Sequence, residues 1–301
     1  MKVSVIMLAY NHEKFIKDAI EGVVLQKTNF DIELIIANDH SKDQTEQVIE
    51  QYRMKYPVIV KGFCNEKNLG PRFNFIKAYS QATGKYIAMC EGDDYWTDLN
   101  KLQQQVDFLE TNIDYVLSFH DIKILDENGT PKDDNRQPTS NKRNFDQNEL
   151  LGVYLPTPTL VYRNVFKDLP GAFKKSDNGD SLLLSFLTQK GKSKYHSEIK
   201  EAIVRVHAGG LWSTRELPEK WSKILHTRFL IFKSLNRKLR NEVFDQYVNT
   251  YEMAAVDAVS FDSPGYWYRY NYNYLKFCLF AGHYGKAWLV FRRILKKLFI
   301  K

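Results

Sequence analysis

The stretch Tyr86-Ile87-Ala88-Met89-Cys90-Glu91-Gly92-Asp93-Asp94 carries five apolar residues straight into three carboxylates within four positions. A short apolar run just after Gly84 reads as a buried strand that ends in a polar edge. Upstream, the same rhythm repeats. Lys2 to Ala9 is a β-branched apolar run, and Ile32 to Ala37 is a second. Val58 to Phe63 alternates like a strand. Between them, Glu13 to Gln26 places Phe15, Ile16, Ala19, Ile20, Val23 and Val24 at helical spacing. Ser41-Lys42-Asp43-Gln44 resembles a capping box that opens a helix towards Tyr52. Arg72 to Gln81 reads as helix. Strand and helix in alternation predict an α/β fold with a mostly parallel sheet flanked by helices.

Downstream, Leu99 to Glu110 reads as helix and Tyr115 to Leu125 as one strand. Asp126 to Asn144 has no apolar residue except two prolines and reads as a long surface loop. Val153 to Val161 is expected to be extended, Asp180 to Gln189 helical, and Ile203 to Val206 a last strand. After about Leu211 the character changes. Glu219 to Leu235, Arg240 to Val259 and Tyr274 to Phe299 are long helical patterns. Tyr266 to Tyr274 alternates tyrosines with period two, yet its neighbours favour helix. Two domains are expected, 1–213 and a helical appendage over 214–301.

The chain has 301 residues, 44% hydrophobic and 26% charged. That composition supports a sizeable core and excludes a mainly disordered chain or a bundle of membrane spans. Three cysteines are too few for a disulfide scaffold or zinc module and fit a reducing compartment. Neither a signal peptide nor a membrane span is expected, which suggests a cytoplasmic protein. The net charge of +7 is concentrated at one end, with six basic and no acidic residues from Lys286 to Lys301. Nucleic acid is therefore not the expected partner. Instead, the last helix pairs an apolar arc (Ala287, Trp288, Phe291, Ile294, Leu295, Leu298, Phe299) with a basic one (Arg292, Arg293, Lys296, Lys297). That pairing suits either an anionic membrane surface or packing on the preceding helices.

In open α/β sheets, ligands bind at the carboxyl ends of the strands. Here three such ends carry polar groups: Ala9-Tyr10-Asn11, Asn38-Asp39, and Glu91-Gly92-Asp93-Asp94. Carboxylates this close repel unless a cation lies among them, and oxygen ligands suit Mg²⁺ or Mn²⁺. The same acidic run also suits a turn that caps the next helix. Gly191-Lys192-Ser193 lacks the upstream glycine of a phosphate-binding loop, and no Gly-x-Gly-x-x-Gly follows the first strand.

Four motifs in order resemble the family 2 glycosyltransferases of the GT-A fold, which move a sugar from a nucleotide to an acceptor with inversion. They are Val3 to Asn11, Asn38 to Thr45 (with His40 where glycine is usual), Asn68-Leu69-Gly70 with Arg72 and Asn74, and Cys90 to Trp96. The likeness runs from about Lys2 to Ser213. It implies that Asp39 accepts the ring N–H of uracil or thymine, with Ala9, Tyr10 and Asn11 walling the base. It places Asp93 on the metal and Glu91 on the metal or ribose side. Asp94 and Arg72 would meet the sugar or phosphates. Asp180 would be the catalytic base, with Asp177 in reserve, and His207 a metal or phosphate contact. The donor would be a UDP-sugar, or less favourably a dTDP-sugar. The acceptor would be a glycan or lipid-linked glycan in bacterial-type surface polysaccharide or glycolipid assembly. A metal-dependent nucleotidyltransferase and a membrane-associated nucleotide-sugar binding protein without turnover are the competing readings.

Overall fold

The computed structural model describes residues 2–134, 136–210, 212–260 and 264–299. The chain divides into two compact units. One comprises 1–175 with 179–213, and the other 176–178 with 214–301.

The first unit is built on a seven-stranded sheet. Its strands are β1 (Val3–Ala9), β2 (Ile32–Asn38), β3 (Val60–Cys64), β4 (Tyr86–Met89), β5 (Tyr115–His120), β7 (Val161–Arg163) and β8 (Lys192–His196), in the spatial order 3-2-1-4-7-5-8. All neighbouring pairs are parallel except those of β7, which runs antiparallel to both β4 and β5. A separate parallel pair joins β6 (Ile122–Asp126) to β9 (Ala202–Val206). Helices α1 (Ile16–Val24), α2 (Thr45–Lys55), α3 (Pro71–Tyr79), α4 (Lys101–Thr111) and α5 (Gly179–Leu187) accompany the strands. β1 and β2 are buried along almost their whole length, as expected for strands covered on both faces. Ile16, Ala19, Ile20 and Val23 of α1 and Leu102, Val106 and Leu109 of α4 join the same core.

The structure departs from the sequence reading at several points, each with a local cause. The expected strand Tyr115 to Leu125 breaks at Asp121, after which the chain leaves β5 and pairs with β9 in the other sheet. β8 escapes detection because its sequence, Lys-Ser-Lys-Tyr-His, has no apolar alternation. Val153 to Val161 is not continuously extended. Thr157–Thr159 forms a 3-10 turn, and the strand begins only at Val161. Pro156 and Pro158 lack the amide hydrogens a strand ladder needs. The capping box is also not formed. α2 starts at Thr45, whose N–H and hydroxyl both donate to Asp43 Oδ1 at 3.0 and 2.6 Å. Ser41 instead donates to Asn38, and the Gln44 N–H donates to Glu13 at 2.9 Å.

The second unit contains α6 (Leu217–Ser234), α7 (Arg237–Ser260), α8 (Pro264–Ala281) and α9 (Tyr284–Phe299). The tyrosine run is helical. Trp267, Tyr270, Asn271, Tyr274, Phe277 and Cys278 are buried at helical spacing, whereas Tyr272 is exposed. Their partners include Phe232, Phe244, Tyr247 and Tyr251. The expected long helix from Tyr274 is interrupted at Gly282. Its φ of 79° lies in the left-handed region that favours glycine at a helix end. Among the described residues, no helix is long and apolar enough to cross a membrane.

Candidate active site

β1 lies between β2 and β4, so the three polar strand ends emerge side by side. The loop after β1 is splinted to the loop after β2. The Asn11 N–H donates to Ser41 Oγ at 2.9 Å, and the Lys42 N–H donates to Asn11 Oδ1 at 2.8 Å. Asn11 adopts φ 56° to do so. Its side chain thus braces the loop, while Tyr10 beside it is 40% exposed and Ala9 is buried.

Asp39 is buried and hydrogen-bonded on both oxygens. Oδ1 accepts from Asn65 Nδ2 at 2.9 Å and the Leu69 N–H at 2.8 Å, and Oδ2 accepts from the Gly70 N–H at 2.8 Å. Asn65 also donates to Asn74 Oδ1, and Asn74 donates to the Ala37 carbonyl, both at 2.8 Å. Two oxygens offer about four lone pairs, and these three bonds use three of them. His40, which replaces a customary glycine, takes the left-handed conformation at φ 63°. Arg72 lies in the first turn of α3, its guanidinium 4.9 Å from the Phe73 ring centre.

The acidic end of β4 is tied to the exit of β9. His207 Nε2 lies 3.0 Å from Asp93 Oδ2. The Arg205 N–H donates to Asp94 Oδ1 at 2.9 Å, and its guanidinium donates to the Asp93 carbonyl at 3.1 Å and pairs with Asp18. The same guanidinium lies 4.4 Å from the Tyr95 ring centre. From the end of β1, His12 Nε2 approaches Asp93 Oδ2 to 3.8 Å. His12, Asp93 and His207 each offer one ligand atom, all within 4.8 Å of one another. Two imidazoles and a carboxylate suit a divalent transition-metal ion. Glu91, expected on the metal side, is not among these ligand atoms. Its buried Oε2 has no hydrogen-bond partner.

The electrostatics sort these acids. Burial pushes the Asp93 carboxyl up, but the His207 hydrogen bond and the neighbouring imidazoles outweigh it and hold Asp93 below the usual range. Burial and the Asp93 charge push Glu91 up to about 7 and raise Asp94 well above its ordinary value. Asp180 sits in the first turn of α5, where burial raises its carboxyl despite the Ser181 N–H donated to Oδ1 at 2.7 Å. The Asp180 charge is felt at Glu91 and at the Tyr154 hydroxyl, whose proton is held tightly by desolvation and then by Asp180. Asp177 is engaged elsewhere. It pairs with Lys223 at 3.8 Å and His226 at 3.7 Å on α6.

Sequence reasoning did not single out His12, Tyr154, Arg205 or Arg136. The charge of Arg136, from the 126–144 loop, acts on both Asp94 and Tyr154. His12 carried a signal, since it stands three residues beyond the end of a buried strand. The others reach the site only through folding contacts distant in sequence.

Residues 4–169 match the family described as Glycosyl transferase family 2. The chain belongs to that family. It is 33% identical over 213 residues to the uncharacterized protein Rv1520 of Mycobacterium tuberculosis, covering 70% of this chain and 60% of that one. It thus spans less than two thirds of that relative's length. Over 131 residues it is 32% identical to TuaG of Bacillus subtilis, named for teichuronic acid biosynthesis, covering 44% of this chain and 50% of that one. Among solved structures, Staphylococcus aureus TarS 1–349 in complex with UDP-GlcNAc aligns with a TM-score of 0.70 at 19% identity, covering 92% of this chain and 81% of that one. The Pyrobaculum calidifontis mannosyltransferase PcManGT, in complex with GDP-Man and Mn²⁺, aligns at 0.59 and 13% identity, covering 100% of this chain and 88% of that one. These likenesses show the GT-A fold.

Proposed function

We propose that this chain transfers a sugar from a UDP-sugar to a hydroxyl of a glycan acceptor, with inversion at the anomeric carbon. The observation that carries the reading is the family match over residues 4–169 together with the three polar strand ends brought side by side, with Asp180, whose carboxyl is raised, in the first turn of α5. Family membership favours sugar transfer over nucleotidyl transfer. The UDP-GlcNAc bound by TarS and the naming of TuaG support a nucleotide-sugar donor and a surface-polymer acceptor.

In this reading the uracil N3–H donates to the remaining acceptor site of Asp39 while the base lies against Tyr10 and Ala9. Arg72 faces the donor from α3. Asp93 and His207 hold a divalent ion, Mn²⁺ or Mg²⁺, which when bound neutralises charge on the diphosphate. Asp94, pinned by the Arg205 N–H, orients the donor sugar. Asp180 takes the proton of the acceptor hydroxyl as its oxygen bonds to the anomeric carbon. The bond from that carbon to the diphosphate breaks, and UDP leaves with the electron pair. An ordinary aspartate, near pKa ~3.9, is a weak base, and burial corrects this.

The same reading puts the chain at an anionic membrane surface through α9, beside a lipid-linked acceptor. The arc expected from the sequence is split. Ala287 of that arc is buried, as is Val290 outside it, whereas Trp288 is 57% and Leu298 54% exposed, with Phe291 between them in sequence. The exposed stripe borders Arg292 and Lys296. Lys297 instead lies 4.4 Å from the Trp267 ring centre. The Phe299 side chain, Ile300 and Lys301 lie outside the described residues. A screen of UDP-, dTDP- and GDP-sugars with Mn²⁺, read by thermal stabilisation and nucleoside diphosphate release, tests the donor and the turnover together. Preference for a GDP-sugar, or stabilisation without release by both wild type and Asp180→Asn, would remove the reading.

A further inference from the structure

We infer that His12 is the third protein ligand of the divalent ion, so that this site is a two-imidazole, one-carboxylate centre that binds a transition-metal ion before any nucleotide arrives. The inference rests on the sugar-transfer reading only in placing the ion at the donor diphosphate.

Three observations meet at His12. First, its Nε2 and that of His207 flank the same carboxylate oxygen, Asp93 Oδ2, at 3.8 and 3.0 Å. Donor atoms bound to one ion at about 2.1 Å lie roughly 3.0–3.5 Å apart, so this spacing needs little adjustment. The 3.8 Å separation is too long for a hydrogen bond. Second, the backbone makes room for the ring. A Cβ at Gly92, between Glu91 and Asp93, would lie 2.8 Å from His12 Nδ1 and 3.1 Å from the Leu8 carbonyl. Third, the ring is held without spending its nitrogens. The His12 N–H donates to Thr45 Oγ1 at 2.8 Å, and the buried Nδ1 has no hydrogen-bond partner. His12 thus brings an unspent imidazole to the carboxylate that His207 already touches.

The donor set has a consequence for ion choice. Imidazole nitrogen favours the later transition metals such as Co²⁺ and Zn²⁺ and is accepted by Mn²⁺, whereas Mg²⁺ demands oxygen ligands and keeps its water. The chain alone, without nucleotide, is therefore expected to bind Mn²⁺ at least tenfold more tightly than Mg²⁺.

Pulsed EPR of the full chain with Mn²⁺ alone counts the imidazoles through their ¹⁴N couplings. Calorimetric titration with Mn²⁺ and Mg²⁺ measures the preference. Two coupled imidazoles are expected in wild type and one in both His12→Ala and His12→Gln, with Mn²⁺ affinity at least tenfold lower and Mg²⁺ affinity within threefold. The wild-type spectrum decides the matter even where a variant folds poorly. One coupled imidazole in wild type, or Mn²⁺ bound only when UDP is present, would overturn the role of His12. Either result would leave UDP-sugar turnover intact and so would not touch the transfer reading.

Discussion

His207 Nε2 and Asp93 Oδ2 lie 3.0 Å apart although 114 positions separate them in sequence. The contact closes the acidic end of β4 against the exit of β9. It does two things at once. It lowers the Asp93 carboxyl against the pull of burial, and it aligns an imidazole with the edge where three strands deliver their polar ends.

Asp180→Asn is nearly isosteric but accepts no proton. Turnover is expected to fall ~10²-fold or more, with UDP affinity within a few-fold of wild type. Because burial raises the Asp180 carboxyl, the rising limb of the kcat/KM profile should lie above the ordinary aspartate range. Steady-state rates across pH 4–9 measure both. Near-normal turnover in the variant would send the search for the base elsewhere. Asp177 is then a poor first choice, because Lys223 and His226 engage it.

Asp39→Ala removes the acceptor for Asn65 Nδ2 and for two backbone N–H groups. The Gly70 N–H keeps Asn68 Oδ1 at 3.0 Å and Asn65 Nδ2 keeps Asn74 Oδ1, so the loss falls chiefly on the Leu69 N–H and should cost about 1–3 kcal/mol of stability, read by denaturant unfolding. UDP binding should weaken in the same variant. In wild type, calorimetry should find UDP tighter than GDP or CMP.

Lys101 is wholly buried, its amine donating to Gln105 Oε1 at 2.7 Å and lying 4.3 Å from the Trp96 ring centre. Burial pulls its pKa from the usual 10.5 down to about 7. Between those values the unfolded chain binds a proton that the folded chain does not. Lys101 alone should therefore make stability rise with pH, by about 2 kcal/mol from pH 7 to 8.5, while the raised Glu91 and Asp94 carboxyls act in the opposite sense up to their own raised values. The buried Cys90 thiol acts in the opposite sense above that range. Lys101→Met should flatten the rise, and denaturant melts at pH 6.5, 7.5 and 8.5 compare the slopes.

Trp288→Ser with Leu298→Ser strips the exposed face of α9 without touching Ala287 or Val290. Binding to vesicles rich in anionic lipid should drop several-fold, as should binding by Arg292→Glu with Lys296→Glu. Neutral vesicles should bind little in every case. Co-sedimentation that is indifferent to both pairs of changes would refute the membrane placement.

The sheet of the first unit was legible because β1, β2 and β4 are short buried strands whose apolar runs end in polar loops. The acidic site was legible for the same reason, since a strand end concentrates its chemistry in consecutive residues. Asp121 was not legible. The only mark in Tyr115 to Leu125 is Asp121 itself, and a single acidic position between two equally apolar halves reads as strand alternation and not as a change of sheet. β8 was hidden by its lysines, and the break at Gly282 by helical periodicity on both sides of it. Arg205 and Arg136 act on acids more than forty positions away, a relation that no local spacing encodes.

Residues 176–178 belong with the helical unit although they lie within the span of the first, so the chain passes from one unit to the other three times. Ser176 meets Thr227 there, and Asp177 meets Lys223 and His226. A recombination event that exchanged only the stretch after residue 213 would leave both residues facing strangers, one peptide short of the helix that begins with Gly179 and Asp180. Exchange of the helical unit between relatives therefore has to carry this three-residue segment with it, or be followed by paired changes at 176–177 and 223–227.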